Sequence, residues 1–298
     1  MCGLLRRPSV WAMTSAGFTS RAGWVPFVLS LLFVTAAALL VRGAPSDVPG
    51  LEVATNEDVV DAFFNLGFPL VGALILTREP GNLFGWAFAL VGLSFEASQF
   101  AGSYATYATF THPGSLPAAR VMSLLSDVLI VATFLLLLVF VPLLFPTGRP
   151  PTRRWWAVGA AGCAAFVLGV VAAAIRPGPV DEDVASSGPN PFGIGGAAGV
   201  ADALELAALV LLLLAAVGAV ASLVVRARRS RAIERRQLKI FGAAVGLVLA
   251  LVLLPEEPLG LESELAQITM ALVVLLALPG AVAVALLGMR PESAEASV

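Results

Sequence analysis

The chain has 298 residues, of which 58% are apolar and only 13% charged. A soluble domain carries about 25% charged residues, so this composition excludes a soluble enzyme, a nucleic-acid-binding domain and a disordered linker, and it points to an integral membrane protein. The net charge of -2 becomes informative only when the signs are sorted by position.

A bilayer core about 30 Å thick needs about 20 apolar residues in a helix, because a helix satisfies its own backbone amides without water. Residues 1–23 precede the first such run and hold Arg6, Arg7 and Arg21. They resemble the n-region of a secretory or twin-arginine signal, but the following run is long for a signal and Pro45 after Gly43-Ala44 opposes cleavage. The segment is therefore expected to remain as a cytoplasmic N-terminus, with Met13 an alternative start. Eight runs follow: Trp24 to Val41, Val59 to Leu76, Leu83 to Tyr104, Val121 to Phe145, Trp156 to Ile175, Leu204 to Val225, Leu238 to Leu254 and Leu265 to Leu287. The seventh is short and ends at Pro255. The expected fold is an all-α polytopic bundle of about eight transmembrane helices over residues 24–288, followed by a short tail, 289–298.

Basic residues near the ends of spans orient a membrane protein. With the N-terminus inside, all but three of the 18 Lys and Arg residues fall in cytoplasmic segments. The exceptions, Arg42, Arg120 and Arg176, lie at the ends of runs, where a long side chain reaches the interface. Asp47, Glu52, Glu57, Asp58, Asp181, Glu182, Asp183, Glu256, Glu257, Glu262 and Glu264 fall in the outer loops. An odd number of spans would scramble this separation, so both termini are expected in the cytosol of a cell-membrane protein. Trp24, Trp86, Trp155 and Trp156 at the inner boundary, with Tyr104 and Tyr107 at the outer one, fit the preference of these rings for the headgroup region.

Ionisable groups inside spans cost about 3 kcal/mol at mid-bilayer, which makes each a functional candidate. Glu96 lies halfway along the third run, with Gln99 and Ser103 on its helical face and Tyr104 above. Asp127 in the fourth run, Asn65 in the second and Glu205 in the sixth stand at similar outer depth. The expectation is an outward-opening polar cavity between spans 2, 3, 4 and 6, lined by Asn65, Glu96, Gln99, Ser103, Tyr104, Asp127 and Glu205. The competing reading makes Glu96 packing glue and lets Asp127 and Glu205 reach the headgroups.

The segment RARRSRAIERRQLK sets Arg226, Arg228, Arg229, Arg231, Arg235, Arg236 and Lys239 against the single Glu234. As an elbow it would hold anionic lipid heads or the acidic face of a partner, at about 1 kcal/mol per basic residue. The competing reading is that it only fixes the topology of two spans. No aromatic residues interleave these charges, so nucleic acid is not an expected partner. The stretch FPTGRPP lacks the Lys and Ser or Thr of a phosphate loop, and Gly193-Ile194-Gly195-Gly196 follows no strand. Pro142 and Pro279 should kink their helices. Gly242 and Gly246 form a small-xxx-small pair for contact within the chain or between copies. With His112 the only histidine, neither a His metal cluster nor a Ser-His-Asp triad can be built, so no metal, no cofactor and no enzyme activity is expected. Cys2 and Cys163 are placed too far apart to pair.

Four segments in order resemble the membrane-embedded N-terminal region of actinobacterial sensor histidine kinases. They are Asn82-Leu83-Phe84-Gly85-Trp86, the turn FPTGRPPTRRWW from Phe145 to Trp156, Asn-Pro-Phe-Gly-Ile from Asn190 to Ile194, and the Glu-Arg-Arg-Gln-Leu-Lys elbow from Glu234 to Lys239. Order and spacing cover roughly residues 70–285. Family members continue into a helix bearing the phosphoacceptor His and an ATP-binding domain, whereas Met289 to Val298 carries neither. The resemblance thus implies a sensory or regulatory membrane module whose output passes to a separate protein. The alternatives are a small transporter using Glu96 and Asp127 as proton or cation sites, and an intramembrane lipid-modifying enzyme built on the same carboxylates.

Overall fold

The computed structural model describes residues 22–42, 65–180, 187–230, 235–244 and 279–287. Arg6, Arg7, Arg21, Arg231, most of the seventh and eighth runs and the tail lie outside the described residues.

The described chain is helical throughout its apolar runs. Helix α1 is Val25–Leu40, α2 Gly67–Arg78 and α3 Leu83–Thr106. Helix α4 spans Ala119–Leu144, α5 is Trp156–Ile175 and α6 Ala198–Arg229. Two further helical pieces, α7 over 235–244 and α8 over 279–287, complete the description. Four helices, those holding α3, α4, α5 and α6, are long and apolar enough to cross a membrane. Along α6, Leu206, Leu213, Leu214 and Val217 point outward and are more than half exposed, a surface that water would not tolerate at this extent. The chain is a helical membrane protein.

Local sequence accounts for the ends and irregularities. Asn82 caps α3, its side-chain oxygen accepting from the Phe84 amide at 2.9 Å. Pro142 lacks an amide hydrogen and its ring crowds the carbonyl four residues back. The expected kink takes the form of a π turn at Leu136–Phe140, just before the proline. Helix α5 begins and ends where hydropathy sets the fifth apolar run. Helix α6 outruns the predicted Leu204 to Val225 at both ends. At 1.5 Å per residue it is about 48 Å long, well beyond the hydrocarbon core.

Helix α3 is the hub, packing against α1, α2 and α4, while α5 pairs with α6. The main core gathers Phe68, Phe84, Phe88, Phe145 and Phe241 with Leu238 and Val282. The Phe145 and Phe241 rings stack with centroids 4.2 Å apart, tying α7 to the end of α4. At this end of the bundle Gln237 also donates to the Ala285 carbonyl at 3.0 Å. At the other end the Tyr104 hydroxyl donates to the Pro117 carbonyl at 2.9 Å, Asn190 donates to the Arg176 carbonyl at 2.9 Å, and Gly188 lies against Arg120. Turns that the charge pattern groups on one side therefore meet in space.

Candidate functional site

Glu96 is completely buried, and neither carboxylate oxygen has a hydrogen-bond partner. Its position follows from how α3 divides its faces. Ser94 and Thr133 share a 2.8 Å hydrogen bond, and the Ser98 hydroxyl donates to the Ser126 carbonyl at 2.8 Å while the Ser126 hydroxyl donates back to the Ser98 carbonyl at 2.9 Å. These pairs stitch α3 to α4. At 3.6 residues per turn, Glu96 points nearly opposite Ser94 and Ser98, on the stripe that holds Gly85, Ala89, Gly92 and Phe100.

That stripe faces α2 and α1. A Cβ on Gly72 would lie 2.7 Å from Ala89, and one on Gly92 would overlap Pro69. The two antiparallel helices thus touch at backbone distance, which only glycine permits here. One further turn in each direction sets Asn65, itself buried, level with Glu96. On the other side the Phe33 ring of α1 stacks on Phe100 at 5.3 Å. The buried stripe of α1 is Pro26, Ser30, Val34 and Ala37. Ser30 is fully buried and its hydroxyl has no partner. Thr35, by contrast, donates to its own helix at the Leu31 carbonyl. Each buried polar atom left unpaired costs about 1–3 kcal/mol, so Glu96 and Ser30 are poor choices for stability alone.

The expected outward cavity between spans 2, 3, 4 and 6 does not assemble. The α2–α3 register sets Asn65 level with Glu96, and both are buried, but Gln99 is exposed and Ser103 only half-buried. Tyr104 is half-buried and bonded to the Pro117 carbonyl. Asp127 is exposed: Ser126 and Thr133 face α3, which turns the neighbouring Asp127 about 100° away. Glu205 stands in the second turn of α6, exposed and ion-paired with Arg176, which also binds Asp202 at 2.9 Å. The polar centre therefore belongs to α1, α2 and α3. Ser30, its third member, escaped sequence reading because an isolated serine in an apolar run carries little signal.

The basic elbow also divides. Arg226 is buried and its guanidinium donates to the Arg149 carbonyl at 2.6 Å, the Thr147 hydroxyl at 3.0 Å and the Leu143 carbonyl at 3.3 Å. It is a structural clamp on the 145–150 turn, a correction to its expected place on a lipid or partner surface. In that turn Gly148 has φ +71°, and a Cβ there would overlap Asn82 and lie 2.9 Å from the Leu83 amide. The turns at 79–82 and 145–150 thereby interlock with the end of α6. Arg228, Arg229, Arg235, Arg236 and Lys239 are exposed and form the remaining basic surface, with Arg231 outside the described residues.

Among the described residues no group of three or more His, Cys, Asp or Glu side chains is placed to hold a metal ion. No protein-family model, curated protein or solved structure matches this chain.

Proposed function

We propose that the chain is a sensory or regulatory module of the cell membrane, with about eight spans and both termini in the cytosol. Changes of helix packing in the bundle pass through the interlocked inner turns to the basic surface of Arg228, Arg229, Arg235, Arg236 and Lys239. That surface engages anionic lipid heads and the acidic face of a separate signalling protein. The observation that carries this reading is the clamp at Arg226, which joins the α4–α5 turn, through Gly148 the α2–α3 turn, and the end of α6. Movement of any of these helices must then reach the basic surface that begins two residues later. The resemblance to the membrane region of sensor histidine kinases adds to it.

Photocrosslinking in native membranes tests the proposal. A photoreactive residue replacing Arg229 should give one discrete adduct with a cytoplasmic signalling protein, and reversing the charge of Arg228 and Arg235 should remove it. Adducts with lipid alone, together with solute flux in proteoliposomes that vanishes in E96Q, would replace this reading by the transporter.

A further inference from the structure

We propose that Glu96, Ser30 and Asn65 form a binding site for one small monovalent cation, a proton or Na+, enclosed between α1, α2 and α3. Three oxygens on two different helices, both of Glu96 and that of Ser30, are buried without a partner. With α1 running in the same direction as α3, as the charge pattern requires, the stacking of Phe33 on Phe100 brings Ser30 level with Glu96. The α2–α3 register brings Asn65 to the same level from the other side. Four other hydroxyls in the bundle, those of Ser94, Ser98, Thr133 and Ser222, donate to backbone carbonyls, and the one other buried hydroxyl without a partner among the described residues, Thr111, lies about four turns beyond Glu96 in the chain. The Ser30 oxygen is left free to be a ligand.

The donor set decides the chemistry. Carboxylate, hydroxyl and amide oxygens are hard ligands, which suit a proton or an alkali cation rather than a thiophilic metal. One carboxylate is balanced by one positive charge, so the filled site is neutral in a low-dielectric interior, whereas a divalent ion would leave an uncompensated charge there. Among the described residues α1 carries no ionisable side chain. Helix α2 carries only Arg78 at its far end, and α3 none but Glu96 and Tyr104. On α4, Arg120 and Asp127 are both exposed, so neither faces Glu96. One turn from Glu96 along α3, at Gly92, the α2 and α3 backbones are in direct contact. The site does not depend on whether the module signals, and Asp127 is not part of it.

Infrared difference spectroscopy of the purified chain in neutral liposomes tests the site. A protonated-carboxyl stretch should be present in the wild type and absent in E96Q. Loss of that band as pH rises, indifferent to NaCl, identifies a proton site. Loss on adding NaCl but not KCl at fixed pH identifies Na+. S30A should move the midpoint of the transition by about fivefold in cation concentration, as expected for one lost neutral interaction. If E96Q does not accumulate, Glu96→Asp keeps a carboxyl and should shift the band's frequency, which assigns it, and S30A supplies the comparison. A Glu96 band invariant to pH and Na+, a carboxylate ionised under all conditions, or a midpoint untouched by S30A would each overturn the proposal.

Discussion

Replacing Arg226 by Ala removes three hydrogen bonds from a guanidinium that is only 9% exposed. A hydrogen bond to a charged group contributes about 1.5–3 kcal/mol net. The contact to the Leu143 carbonyl, at 3.3 Å, is the weakest of the three, and water reaches this end of the bundle, so the loss should be about 2–4 kcal/mol rather than the full sum. Arg226→Lys keeps the charge but cannot fork to three acceptors, and should lose about half of that. Arg228→Ala and Arg229→Ala remove the same charge from exposed positions and should change stability by less than about 0.5 kcal/mol. Thermal unfolding of the purified variants in one detergent reads the comparison, because topological charge is nearly equal in all of them. Equal midpoints for Arg226→Ala and Arg228→Ala would refute the clamp.

Other expectations are equally direct. Gly92→Ala forces a methyl group into Pro69 at a helix contact already at backbone distance and should cost about 1–3 kcal/mol as overpacking, read by the same unfolding assay. Gly148→Ala combines strain at φ +71° with a clash on Asn82 and should destabilise the chain by more than about 1 kcal/mol. Neutralising Arg176 should cost less than about 1 kcal/mol, with the difference shrinking in high salt, since its partners Asp202 and Glu205 are largely exposed. Changing Arg228, Arg229, Arg235 and Arg236 together to Gln should abolish selective retention of anionic over zwitterionic lipid, measured by mass spectrometry of co-purified lipid.

Depth in the membrane is legible in the sequence, while the direction a side chain faces is much less so. Hydropathy places the fifth span at Trp156–Ile175, because there the apolar run and the helix end together. It shortens α6, because the polar turns at Ala198 and Arg229 stay helical outside the hydrocarbon. Glu96 stands out as a buried charge from its position alone. Asp127 lies at a comparable depth but on another face, a distinction hidden until Ser126 and Thr133 are known to contact α3. Arg226 is chemically indistinguishable from Arg228 in the sequence. Only the Thr147 hydroxyl and the Arg149 carbonyl, in a turn nearly 80 residues earlier, separate the clamp from the surface.

The sidedness of the two ends is the claim on which the functional account rests, and labelling of single cysteines in intact cells measures it. In a background without Cys2 and Cys163, a membrane-impermeant maleimide should modify Ser115→Cys and Ser187→Cys, and should reach Thr147→Cys and Arg229→Cys only after the membrane is opened. Modification of Thr147→Cys in sealed cells, or of both sets alike, would contradict it.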